Sequence, residues 1–301
     1  MCDIDLVIPI VFPQDPEWLR AYSIRSGKDA EKDVRFRSWG TEELLLKCVC
    51  KNMPWLRRIF ILLAGESQAR YLQDCLPAGL EIVFVYHREF IPRHLLPTFN
   101  VCTIEMFLHR IPGLGEHFIY SNDDFFPLSP LNPSDFFRDG YPCQKMNESP
   151  YPDKPKIFHE FVMNGLNMVA ADFGKHYKKT WLLGGHSMQP MLRSTVEKVC
   201  TRHADRIARS FTFERSVANF NQYIFPFYQH FTGEYVAHIP RRAYVGRKVS
   251  IERLVEYIRR KDAGIVCIND HGDLKDWVLR AETVRREIGN KLKNEGQEVR
   301  E

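Results

Sequence analysis

No apolar run in this 301-residue chain approaches the roughly 20 residues of a membrane-spanning helix. The opening residues Met1-Cys2-Asp3-Ile4-Asp5 carry no basic stretch ahead of an apolar one, so they do not read as a signal peptide. Both absences point to a cytoplasmic protein, at most peripheral to the inner face of a membrane. A strong charge of either sign is missing too. The formal net charge of +4 lacks the dense basic face of a nucleic-acid binder and suits a protein that handles anionic small molecules. The eight cysteines, at positions 2, 48, 50, 75, 102, 143, 200 and 267, form no Cys-x-x-Cys pair. That spacing argues against structural zinc and against a disulfide framework, leaving buried reduced thiols. There is no internal repeat and no low-complexity tract.

What the chain does have is a series of short buried strands separated by helical stretches. Residues 4–11, 59–63 and 80–85 are nearly continuous apolar runs, as expected of strands covered on both faces. Between them, Thr41 can cap a helix carrying Leu44, Leu45, Cys48 and Val49, and a second short helix falls at 69–75. This alternation predicts a Rossmann-like α/β fold, a mostly parallel sheet with crossover helices. Residues 28–37 read as a charged surface segment. Thr98 can cap a helix whose stripe is Val101, Ile104, Leu108 and Ile111, stopped by Pro112-Gly113. A strand at 118–120 then runs into Asn122-Asp123-Asp124.

The carboxyl end of a buried strand is where open α/β sheets bind ligands, and two adjacent carboxylates there repel unless a cation or polar substrate lies between them. The competing reading is a loop held by Asx-turns. A second buried strand, 264–268, also ends in Asn269-Asp270, ahead of His271. If both strands lie in one sheet, their carboxylates emerge on the same edge, and a diphosphate with a hard divalent cation is the natural occupant. Downstream of the central strand, proline-punctuated loops at 127–133 and 150–155 precede helices at 158–173 and 195–207. Gly184-Gly185-His186 lets backbone approach a ligand closely. The aromatic segment 215–231 reads as core or as a sugar platform, and a charged helix follows Leu274.

At these residues the chain resembles the Stealth family. The resemblance is carried by Ile4-Asp5-Leu6-Val7-Ile8-Pro9, Asn52-Met53-Pro54-Trp55, Leu96-Pro97-Thr98-Phe99-Asn100, Ile104-Glu105 and Tyr120-Ser121-Asn122-Asp123-Asp124. Blocks around Gly185-His186, Phe213-Glu214-Arg215 and Ile268-Asn269-Asp270 follow in the family's order. Stealth proteins are the sugar-1-phosphate transferases of bacterial capsule synthesis, related to the animal enzyme that makes the lysosomal mannose-6-phosphate tag. The resemblance implies transfer of a sugar-1-phosphate from a nucleotide sugar, commonly a UDP-linked hexosamine, to a hydroxyl of an acceptor glycan. It places Glu105, Asp123, Asp124, His186 and Arg215 at active-site positions. The stretches 10–13, 36–40 and 64–67 depart from the family pattern, which leaves the donor open.

The roles expected follow from the chemistry. Displacement at phosphorus needs charge neutralisation on the equatorial oxygens, a task for a metal and for the planar fork of Arg215. A sugar hydroxyl needs a base, either His186 or Asp124. Magnesium or manganese is expected on Asp123, Asp124 and Asp270, and substrate on Asn100, Asn122, Asn219 and Asn269. Each has a plainer alternative: His186 structural, Arg215 paired with a surface acid, Glu105 in contact with His109. The chain is expected to form one catalytic domain over 1–301, its core from 1–130 and 235–301 and a smaller helical lid over about 131–234. The rival functions are an ordinary metal-dependent glycosyltransferase, which releases a nucleoside diphosphate, and a catalytically silent glycan-binding subunit.

Overall fold

The computed structural model describes residues 3–270 and 274–294; His271 and Cys2 lie outside them. Four parallel strands, β1 (Ile4–Pro9), β2 (Arg58–Leu63), β3 (Glu81–Tyr86) and β4 (His117–Tyr120), form the centre of a five-stranded sheet. The spatial order is β4-β1-β2-β3, and the strand Gln189–Leu192 is added antiparallel to the free side of β4. The α/β architecture read from the sequence is therefore the one observed.

Alternation along the strands sorts the core into two layers. In β1, Leu6 and Ile8 face one side, where they pack with Ile59, Ile61, Ile119 and, from the helix Glu42–Asn52, Leu45 and Val49. Val7 faces the other side with Phe60, Leu62 and Phe118, under the helices Ile157–Ala170 and Ile224–Thr232. Both faces are covered, which is why β1 and β2 read as nearly continuous apolar runs, interrupted in β1 by the buried Asp5, rather than as an alternation of apolar and polar residues.

A second sheet decides the geometry of the site. β5 (Phe125–Pro127) follows β4 after a four-residue turn and pairs antiparallel with the strand Ile265–Ile268, which pairs parallel with Arg242–Val245. Gly264 starts this strand with φ +66°, and a Cβ there would collide with the carbonyl of Arg241, so the position takes glycine for two reasons. The two Asn-Asp strand ends therefore do not belong to one sheet, contrary to the expectation. They meet through β5 instead: the Ile268 amide donates to the Asp124 carbonyl at 2.9 Å.

Two further expectations need correction, the extent of one helix and its cap. The helix placed from Thr98 to Ile111 is only Val101–Glu105, followed by a 3-10 turn at Leu108–Arg110. Its cap is Asn100, whose side chain accepts from Cys102 N at 3.1 Å. Besides its helices, the stretch 131–234 holds an antiparallel pair, Met146–Pro150 with Thr180–Gly184, and it gives the main sheet its edge strand. The seven described cysteines are free thiols. No helix of the described residues is long and apolar enough to cross a membrane.

The position of β5 depends on Asn52. Its buried side chain donates to the Pro127 carbonyl at 2.8 Å, and its own carbonyl accepts from Leu131 N at 2.9 Å. Asn52→Leu should destabilise the protein by about 1–3 kcal/mol in urea unfolding, because Pro127 O is left unpaired. An unchanged midpoint would remove Asn52 from this role.

Candidate active site

A cavity of about 500 Å³ opens at the carboxyl ends of all four parallel strands. Pro9 to Val11 line it beyond β1, Ala64 beyond β2, His87 beyond β3, and Asn122, Asp123 and Asp124 beyond β4. Strand ends at this edge supply backbone and side chains that cannot continue the sheet, which makes it the place for a ligand. Of the residues chosen from the sequence, Glu105, Asn122, Asp123, Asp124, His186, Arg215, Asn269 and Asp270 all line this one cavity.

Asn100 and Asn219 do not reach it. Asn100 is 0 % exposed and donates to the carbonyls of Thr212 (3.1 Å) and Glu214 (3.2 Å) and to Asn219 Oδ1 (3.0 Å). Asn219 accepts from Ser216 N at 2.7 Å and donates to Ser210 O and Thr212 Oγ1. With their polar atoms spent on backbone and on each other, these two residues fix the loop that carries Arg215 and do not line the cavity.

Three carboxyls in the cavity are poorly compensated. Burial holds Glu105 up to about 7, against the pull of the Gln222 amide (2.8 Å), the Tyr120 hydroxyl (3.1 Å) and the charge of Arg215. Asp123 is reached by solvent yet ringed by protein. Desolvation first, then the neighbouring charges of Asp124 and Glu42, push it up to about 7. Asp124 is also shifted upward by burial, opposed by His186, Cys267 and Asn269. Its Oδ2 accepts from Cys267 Sγ at 3.4 Å and Asn269 Nδ2 at 3.3 Å. Its Oδ1, shielded from solvent, has no hydrogen-bond partner. A buried carboxylate oxygen without a partner, beside a second carboxyl, is a place for a cation.

His186 is held by ring contacts with Phe125 (4.9 Å) and Tyr244 (5.6 Å) between centroids. Burial depresses its basicity, opposed by Asp124, and Arg242 lowers it further, which favours the neutral ring. The double glycine before it serves a different purpose from the one expected. A Cβ on Gly185 would overlap the guanidinium of Arg242, which donates to the His186 carbonyl at 3.3 Å. The close approach is made by a side chain of the protein itself.

Asp270 also has a different partner from the one predicted. Arg37 grips both of its oxygens and the Trp39 indole donates to it at 2.9 Å. The supposed surface segment 28–37 thus sends Arg35 and Arg37 into the cavity wall. Among the described residues, the cluster able to hold a metal ion is Asp124, His186 and Cys267, whose ligand atoms lie within 4.8 Å of one another. Cys267, which the sequence presents only as a buried thiol, is thus placed against the Asp124 carboxylate. Its signal was its place two residues before Asn269, which on a strand puts both side chains on the Asp124 face.

Residues 35–144 match the description "Stealth protein CR2, conserved region 2". The chain is 27% identical to the capsular polysaccharide phosphotransferase WcwK of Streptococcus pneumoniae, over 98% of this chain and 97% of that protein. This chain is related to the Stealth proteins. It is likewise 27% identical to the receptor polysaccharide phosphotransferase WefC of Streptococcus oralis, over 92% and 93% of the two chains. Among solved structures, mouse xyloside xylosyltransferase 1 is similar at 8% identity and a TM-score of 0.46, over 91% of this chain and 100% of that one. The stretch matching Stealth region 2 contains Glu105, Asp123 and Asp124. His186 and Arg215 reach the same cavity from outside it, and Cys267 lies behind its wall against Asp124.

The pH dependence of stability tests the environment of Glu105. Its ordinary value is 4.5 and its folded value about 7, so between these the folded protein keeps a proton that the unfolded chain has released. Stability contributed by the protonated form is present below the lower value and lost as pH rises through the upper one. Urea unfolding at about pH 5 and about pH 7.5 should show a smaller loss of stability in Glu105→Gln than in the parent protein. An equal loss in both would contradict a buried, desolvated Glu105.

Proposed function

We propose that this protein transfers a sugar-1-phosphate from a nucleotide sugar to a hydroxyl of an acceptor glycan, forming a phosphodiester in capsule or other surface-polysaccharide synthesis. The observation that carries this reading is the meeting of Asp123, Asp124, His186 and Arg215 in one cavity, although they are far apart in sequence. It is supported by relatives named polysaccharide phosphotransferases that match this chain over nearly their whole length. A UDP-linked hexosamine is the proposed donor.

In this scheme the neutral imidazole of His186 takes the proton of the acceptor hydroxyl, and the Asp124 carboxyl beside it stabilises the imidazolium. The Arg215 guanidinium, whose charge also reaches Glu105 and Asp123, holds equatorial oxygens of the phosphoryl group as it passes between donor and acceptor. When bound, a divalent cation supplies charge neutralisation at the diphosphate, with Asp123 and Asp124 to hold it and the unpartnered Oδ1 of Asp124 as the observation that fits it. Magnesium or manganese is proposed on the strength of these oxygen donors. Asp270 is left to anchor Arg37. Glu105, hydrogen-bonded to Tyr120 and Gln222, sets the wall against which the sugar lies. Asn122 and Asn269 are the amides left to meet substrate.

Product analysis by mass spectrometry with a panel of nucleotide sugars decides the reaction class. A nucleoside monophosphate and a phosphodiester are expected; a nucleoside diphosphate would make the protein a glycosyltransferase instead. Asp124→Asn should lower turnover by orders of magnitude with an unchanged circular dichroism spectrum. Arg215→Ala should cost about 3–4 kcal/mol of transition-state stabilisation, as for one lost oxyanion donor. Near-normal turnover in both would exclude this assignment.

A further inference from the structure

Among the described residues, Cys267 is the one side-chain hydrogen-bond donor to Asp124 that the phosphotransfer scheme does not use. Its thiol lies on the inner strand of the second sheet, 1 % exposed, and points at the Asp124 carboxylate. The His186 ring closes the third side, fixed by Phe125 and Tyr244. Oxygen, nitrogen and sulfur donors thus stand within 4.8 Å of one another. Asp124 Oδ1, out of contact with solvent, lacks any partner. A hard ion such as magnesium gains little from imidazole or sulfur, whereas zinc is held by this mixture of donors in tetrahedral sites.

We propose that Asp124, His186 and Cys267 form a site for zinc-class cations, and that such an ion antagonises the enzyme by occupying His186. Three protein ligands leave a fourth position open to water or to a substrate oxygen on the cavity side. The binding step is balanced: the Cys267 thiol gives up its proton to solvent as the zinc–sulfur bond forms, and the neutral imidazole binds through a ring nitrogen lone pair. A His186 committed to metal cannot accept the proton of the acceptor hydroxyl. Zinc and a hard cation would also compete for Asp124. The site itself does not depend on the transferase reading; only the antagonism rests on it.

Cobalt serves as the spectroscopic probe for the zinc site. Titration of the metal-free full-length protein with Co²⁺ should produce sulfur-to-cobalt charge-transfer absorption in the near ultraviolet, abolished by excess Zn²⁺. Cys267→Ser should lose that absorption and weaken zinc binding more than about tenfold in calorimetry, the scale on which single ligand-shell changes act. Zinc binding to the parent protein should also release about one proton, and none in Cys267→Ser. Absence of the charge-transfer band in the parent protein overturns the proposal without reference to any variant. So does equal zinc affinity in a folded Cys267→Ser. Zinc binding with these signatures but without inhibition of turnover would overturn the antagonism alone. Absence of turnover under all conditions would count against the transferase reading and leave the metal site standing.

Discussion

The hydrogen bond from the Ile268 amide to the Asp124 carbonyl holds the two halves of the site together. Asp124 is the last residue of the turn that leaves β4 and the first that faces the second sheet. Because β5 pairs with Ile265–Ile268, the residues after that strand are delivered beside the Asp123–Asp124 pair. A slip of one residue in this pairing would turn Cys267 and Asn269 away from Asp124, since side chains alternate across a strand. The register is in turn defended by the buried Phe125, Phe126, Val266 and Ile268.

Around this joint the cavity concentrates negative charge that the protein only partly offsets. Arg37 is committed to Asp270, and Arg215 lies at the more exposed rim, near Glu105 and Asp123. The remaining repulsion between Asp123 and Asp124 is relieved by a proton at low pH or by a cation. An anionic donor bound without a cation would add to that repulsion. This charge balance suits the proposed scheme, in which a cation accompanies the donor diphosphate.

Much of this was legible in the sequence because central strands must be apolar on both faces. β1, β2, β4 and Ile265–Ile268 stand out for that reason, and the polar residues that follow them stand out by contrast. The resemblance to Stealth proteins supplied Arg215, which no local pattern marks, and His186, marked locally only by the double glycine before it. What stayed hidden depended on tertiary pairing. Membership of Ile265–Ile268 in a second sheet is set by β5, a strand of three residues too short to show a period. Asn100 and Asn219 carry the same amide as Asn122, and only the nearby backbone groups of 210–216 show that theirs is satisfied internally. The charged segment containing Arg37 looked solvated because its partner, Asp270, is 233 residues away.

The central claim is that Asp124 meets a cation and the donor diphosphate in the cavity at the β4–β5 turn. Anomalous diffraction from crystals grown with manganese and a non-transferable nucleotide-sugar analogue tests it most directly. The account predicts a manganese peak about 2 Å from an Asp124 carboxylate oxygen, bridged to the diphosphate. A donor bound outside this cavity, or a metal peak with no contact to Asp124, would contradict it.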